Sequence, residues 1–319
     1  MLKKLEIDAL QADLSAVEAL LASRTEAEDP IGWFQFSIRK EEIEQALGEA
    51  MSRTVNRAEL GIFFGGGPVQ GSRGIDADFA GKALEDLQSL VSKKFVEREA
   101  GRSGQRGPLQ NVPTSRMLVT NIVRGSVGFV LEEADADPQL VETPLKTAVD
   151  EIADILSRIG VDDEAVFEEG ASELDERILC TLKQFFQRLD DHGATLRVVD
   201  GTRDFLLDRR AVALARARTQ TIEIEEHDVE LLGTLFLLPD SRRFDFYTDQ
   251  EGAQRVLKGK VSPVVLRQIR DFENAKPVVV SARTIPTMMW RVGIRTRELR
   301  ERNRQPKLVH TLTRLVEPV

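Results

Sequence analysis

The chain predicts an α+β fold in two parts. A mixed helix and hairpin domain spans residues 1–218, and a small antiparallel, β-barrel-like domain of SH3 or OB type spans 219–319. Three observations carry this. The first 218 residues alternate strands, hairpins and helices without regular βαβ units. Beyond residue 220, strand-like segments follow at short intervals (231–238, 243–248, 255–261, 278–284, 291–296, 307–312), with one short helix at 262–272. That spacing is the pattern of a small barrel or sandwich. The charge also changes sign: residues 221–319 hold 17 Lys and Arg against 14 Asp and Glu, a net of +3. The whole chain carries −9, so residues 1–220 carry −12.

Composition sets the outer bounds. The chain has 319 residues, 41% hydrophobic and 30% charged, which is ordinary globular material of about two domains. No apolar run approaches the roughly 18 residues that span a bilayer, so no membrane partner is expected. The first residues are charged (Lys3, Lys4, Glu6, Asp8) and form no secretory signal. Cys180 is the only cysteine, which excludes an internal disulfide and fits a reducing, cytoplasmic setting. Its place in a predicted helix reads as a small buried hydrophobe.

Taken in order, residues 3–24 predict a helix. Ile7, Leu10, Leu14, Val17 and Leu21 alternate by three and four, a narrow seam suited to a partner helix, a second copy or the chain's own domain. Pro30 breaks the connector that follows. Residues 33–38 alternate as a strand and 40–52 return to helix. Leu60, Ile62, Phe63 and Phe64 form the next strand. A glycine-rich loop over 65–74 leads into a long helix with Phe79, Ala83, Leu84, Leu87, Leu90, Val91 and Phe95 on one face. Residues 97–114 read as a solvent loop, and 117–131 as a hairpin turning at Arg124-Gly125-Ser126. Thr143-Pro144 opens a helix that Gly160 closes. A second helix spans about 172–191, ahead of Gly193. Short strands at 195–199 and 205–207 and a basic helix over 208–218 complete the first part.

Strand, glycine loop and helix are the grammar of a phosphate cradle, but the individual positions do not complete one. Gly66 and Gly71 have Walker A spacing, but Ser72-Arg73 stand where Lys and a hydroxyl are required. Pro68 removes an amide, and no third glycine completes a dinucleotide fingerprint. The loop reads as a connector, with Arg73 as its one anion contact. His192, His227 and His310 are scattered, without metal-ligand spacing. His192, beside Gly193, suits the last carbonyls of a helix. Glu223, Glu225, Glu226, Asp228 and Glu230 read as a solvated edge strand. No nucleophile motif occurs, and no cofactor, metal or catalytic residue is assigned.

The strongest functional signal is basic. Arg291, Arg295 and Arg297 share one strand parity, and Arg300, Arg302 and Arg304 follow. Guanidinium groups at this density suit phosphate and base contacts. The same face would equally dock on the chain's own acidic half.

The 65–74 loop with its helix, taken with Gly125-Ser126-Val127-Gly128-Phe129, resembles a module of uncharacterised bacterial proteins, some of them from multi-gene or phage-defence loci. The resemblance covers roughly residues 60–132 and implies no catalytic residues. The chain is therefore read as a non-enzymatic interaction or adaptor protein of a bacterial multi-component system, with a protein partner or a second copy of itself. The alternative is a nucleic-acid-binding component that uses the C-terminal arginines.

Overall fold

A computed structural model describes residues 2–100, 112–123, 127–134, 141–171, 174–201, 203–238, 241–250, 253–274, 285–300 and 306–318. The expected turn at Arg124-Gly125-Ser126, the 278–284 strand, most of the 97–114 loop, Arg302 and Arg304 lie outside these residues.

Two helices come first, α1 (Lys3–Ala22) and α2 (Pro30–Ser52), packed on each other as a hairpin. The expected 33–38 strand is instead the first turns of α2. Asp29 caps that helix by accepting from the Gly32 amide at 2.9 Å, and Pro30 sits in its first turn. The aromatic alternation that suggested a strand is overridden by this start signal. Lys40–Glu18 at 2.9 Å and Arg53–Glu6 at 2.9 Å tie the two helices together.

The sheet has the order β2-β3-β1-β4-β5, formed by β1 (Glu59–Gly66), β2 (Met117–Val123), β3 (Val127–Glu133), β4 (Ala194–Val199) and β5 (Asp204–Leu207). Neighbours are antiparallel throughout. β1 is central and covered on both faces, which explains its near-continuous apolar run. Leu60, Ile62 and Phe64 join the main core, whereas Phe63 packs with Val130, Val199 and the start of α1 at Leu2. Gly128 is required here, because a Cβ on it would lie 2.2 Å from the Phe63 ring.

One sheet face carries α3 (Ala77–Ala100), α4 (Pro144–Ile159), the unforeseen α5 (Glu164–Ala171), α6 (Glu176–Asp191) and α7 (Arg209–Thr221). Thr143, Asp175 and Asp208 cap α4, α6 and α7 as N-caps. On α6, Ile178, Leu179, Leu182, Phe185, Phe186 and Leu189 are buried. Cys180 is exposed, which corrects the buried reading. Two residues beyond Ile178 is about 200° around a helix, the side away from the stripe.

The C-terminal part is a closed barrel in the order β10-β8-β7-β6-β9. Its strands are β6 (Glu223–Leu238), β7 (Arg243–Gln250), β8 (Ala253–Val261), β9 (Met289–Arg300) and β10 (Lys307–Pro318), with α8 (Pro263–Asn274) between β8 and β9. β6 is one long strand, and its acidic half, 223–230, pairs with β9 on one side only, so it stands at an edge as the sequence suggests. The wall is not wholly antiparallel: β10 returns beside β8 in parallel. This crossover, with a helix after the third strand, is OB-like. Trp290, Val292, Ile294, Phe244, Phe246 and Leu235 fill the interior, and Val265 and Ile269 of α8 pack onto it. Ile224 and Leu299 instead join the core of the first part, so the barrel is packed onto the α3–α7 layer.

Candidate functional site

The glycine loop satisfies itself. Gly66 (φ +78°) and Gly71 (φ +54°) take conformations that glycine tolerates. The Val69 amide donates to Gly66 O at 3.1 Å, Gln70 to Gly74 O at 2.9 Å, Arg73 to Gln70 O at 3.0 Å and Gly67 to Gly193 O at 3.0 Å. At the start of α3 the Asp76 carboxylate accepts from the Phe79 amide at 2.8 Å, so the helix end already carries its own anion. The Arg73 side chain is exposed. His192 ends α6 with Nδ1 2.9 Å from the Arg188 carbonyl oxygen.

The helix seam is also taken up within the chain. Ile7, Leu10, Leu14 and Leu21 are half-buried and Val17 is buried, on a helix that packs against α2. The open apolar positions lie on α2 itself: Ile31 (72% exposed), Phe34 (61%) and Ile38, at spacings of three and four.

The C-terminal arginines divide. Arg291 is exposed, 3.6 Å from Glu317, and Arg300 is exposed between Glu225 and Glu298, each at 3.0 Å. Arg295 and Arg297 are each only 5% exposed. They share the outer barrel face as their parity predicts, but that face is covered. Arg297 reaches Glu97 of α3 at 2.9 Å and Glu226 of β6 at 2.8 Å. Arg295 holds Asp228 at 2.9 Å. Lys94 bridges Glu97 at 3.0 Å and Glu151 at 3.4 Å, and Arg98 pairs with Glu151. The strand register explains the match, because Glu226 lies beside Arg297 and Asp228 beside Arg295. Burial alone would raise the Glu97 pKa, but Lys94 and Arg297 hold it down at about 2. The same carboxylates keep Lys94 and Arg297 more basic than usual against the effect of burial. Asp175, at the α6 N-terminus, is pushed up by burial and then by the Glu97 charge.

Beside this network lies a cavity of about 430 Å³ between the barrel and α3–α4. Lys94, Glu97, Arg98 and Glu151 form one wall, and Arg295 and Arg297 another. Arg242, Arg243 and Lys260 of the β6–β7 connection, β7 and β8 form a third. Among the described residues seven cations and two carboxylates line it, Arg295 and Arg297 being also paired with Asp228 and Glu226. Arg243 pairs in register with Lys260, Lys260 with Thr311, and Thr311 with Arg295, so a transverse row crosses three strand spacings.

The same outer face continues away from the cavity along β7 and β8. Tyr247 lies beside Val256 and Thr234, and Asp245 beside Lys258 and Phe236. Phe236 (43% exposed) and Tyr247 (38%) meet edge to face, with ring centroids 5.4 Å apart. Lys258 holds Asp245 at 3.2 Å. Sequence reading missed both groups. The readable signals were the i, i+2 acids at Glu226 and Asp228 that match Arg297 and Arg295, and the aromatic residues on the polar parity of β6 and β7.

Among the described residues no cluster of His, Cys, Asp and Glu could hold a metal ion, and no helix is long and apolar enough to cross a membrane. Comparison with protein-family models, curated protein sequences and solved structures finds no match.

Proposed function

We propose that the chain is a non-catalytic binding protein for single-stranded nucleic acid, using the outer face of β6, β7 and β8. The observation that carries this is the exposed pair Phe236 and Tyr247 beside Lys258, Arg243, Lys260 and Arg242. Bases stack on aromatic rings of any sequence context, while lysine and arginine track the phosphates. The OB-like barrel adds a fold-level analogy only, because one fold hosts many functions. This moves the expected interface from the β9 arginines, whose buried members are neutralised, to the opposite side of the β6–β7 hairpin. The test is fluorescence anisotropy with a labelled single-stranded oligonucleotide at low salt. Binding that falls when Tyr247→Ala is introduced supports the reading, and no binding of the native chain at low salt overturns it.

A second reading, an adaptor for a protein partner, rests on Ile31, Phe34 and Ile38 along α2. A stoichiometric protein that co-purifies with the native chain and is lost with Phe34→Asp supports it.

A further inference from the structure

We infer that Asp245 makes the aromatic face select guanine: its carboxylate accepts the two neighbouring N–H groups of a guanine base stacked on Phe236 or Tyr247. The inference rests on the nucleic-acid reading above and names the base that this face prefers.

Asp245 lies on the outer parity of β7, in register with Phe236 of β6 and Lys258 of β8. Residues opposite each other on neighbouring strands hold their Cβ atoms about 5 Å apart, so the carboxyl group and the Phe236 ring are neighbours. Tyr247 stands two residues further along the same face, about 7 Å at strand rise. The two rings meet edge to face with centroids 5.4 Å apart. A base laid on either ring brings an edge within reach of the carboxylate.

A surface that held a strand by stacking and phosphate contacts alone would gain nothing from an anion beside its rings, because like charges repel. The repulsion is avoided when a base edge, and not the backbone, meets the anion. The Watson–Crick edge of a base points away from its sugar, so that edge can meet Asp245 with the phosphates held off. The carboxylate is open to it. The Asp245 side chain is 29% exposed, and its one polar contact among the described residues is Lys258 at 3.2 Å. Lys258 is exposed, and a surface pair of this kind is readily exchanged for another contact.

An ionised carboxylate accepts at two oxygens and donates nothing. Unpaired bases of a single strand are read on their Watson–Crick edges. Guanine is the one common base with two N–H groups side by side on that edge, N1–H and the 2-amino group. Adenine and cytosine offer one amino group there, next to a ring nitrogen that is itself an acceptor. Thymine and uracil offer a single N3–H between two carbonyls. Guanine thus gains a second charge-assisted hydrogen bond that the other bases do not make.

Asp249, two residues beyond Tyr247 on the same face, is the other carboxylate of β7 on this face. It is exposed and lies beside Gln254 of β8, past Thr248, where the pairing of β7 with β6 ends. No ring stands opposite it, so it supplies the control.

The full chain would be titrated at low salt with labelled single-stranded DNA of thymines in which one central base is varied, and binding read by anisotropy. A guanine is expected to tighten binding about tenfold over adenine, cytosine or thymine, the scale of one added charge-assisted hydrogen bond. Hypoxanthine, which is guanine without the 2-amino group, should lose that gain. Asp245→Asn keeps the shape of the side chain and removes its charge and one acceptor. It should erase the guanine preference while the all-thymine strand stays bound, and Asp249→Asn should leave the preference in place. The inference is overturned, and the nucleic-acid reading stands, if the native chain binds all strands equally or holds hypoxanthine as tightly as guanine. A preference that survives Asp245→Asn, or that disappears with Asp249→Asn, overturns it as well. If no strand binds the native chain, the nucleic-acid reading fails and the inference falls with it.

Discussion

The barrel carries two basic faces, and they differ in what stands beside them. On β9 the arginines are denser in sequence, yet Arg295 and Arg297 have carboxylates in register on β6 and from α3. On β7 and β8 the basic residues are spread over two strands, but they line an open cavity and adjoin two exposed rings. Surface potential follows from partners brought together by register, and the number of arginines in a run says little about it. The first face holds the chain together, while the second is the one proposed to meet a ligand.

The largest expected effect breaks the first face. Charge reversal of Arg295 and Arg297 to Glu places new carboxylates against Glu97, Glu226 and Asp228. It should prevent folding, read as insoluble protein or lost cooperative unfolding, and not as weakened ligand binding in a folded chain. The milder Glu97→Ala leaves Lys94 and Arg297 partly uncompensated. It should cost about 3–5 kcal/mol in denaturant unfolding, the usual result of removing one partner of a buried pair. A cost below about 1 kcal/mol would show that the network is solvated and that the contrast between the faces is overstated.

The second face should respond in the opposite way. Tyr247→Ala and Phe236→Ala should each lower oligonucleotide affinity by about 1–3 kcal/mol while changing stability far less than a core truncation does. Phe64→Ala, in the main core, supplies that reference at about 3–5 kcal/mol.

Acid should discriminate the faces too. The Glu97 pKa is depressed in the folded chain, to about 2 from an ordinary 4.5, by Lys94 and Arg297, with Glu151 and Arg98 alongside. Its stabilising contribution is complete above pH 4.5 and is lost as pH falls toward 2. Asp175, shifted upward, works the other way and gains from protonation. Unfolding free energy should therefore decline through this window in the native chain. In Glu97→Gln that decline should be shallower. An unchanged slope would remove Glu97 from the account.

Much of the fold was readable because local signals and burial agreed. Thr143-Pro144 with Gly160 bounded α4, and apolar spacing drew α3 and α6. The closed barrel with its helix followed from turn spacing. Residues 33–38 misled because aromatic alternation outweighed Asp29 and Pro30, the local cap and first-turn residues of α2. Cys180 was misplaced by a phase error within a correctly identified helix. The site was less legible for a different reason. Glu97 and Arg297 are 200 residues apart, and only tertiary packing makes them partners. Tyr247 and Phe236 are told from core residues only by the barrel's interior parity, which Phe244, Phe246, Leu235 and Leu237 fix.

The smallest expected effects separate the exposed cations of the two faces. Arg291 and Arg300 form surface pairs that contribute about 0–1 kcal/mol to stability. They lie off the aromatic face on the paired side of β9 or at its end. Replacing either with Ala should leave the salt dependence of oligonucleotide binding unchanged. Lys258→Ala removes a cation that stands between the rings and the cavity. It should reduce the slope of log affinity against log salt by about one, with a small loss at any single salt concentration. Stability should scarcely move, because Lys258 is exposed and its pair with Asp245 is a surface pair. The comparison reverses if Arg300→Ala lowers the slope and Lys258→Ala does not. In that case the ligand tracks β9, and the aromatic pair on β6 and β7 serves some other contact.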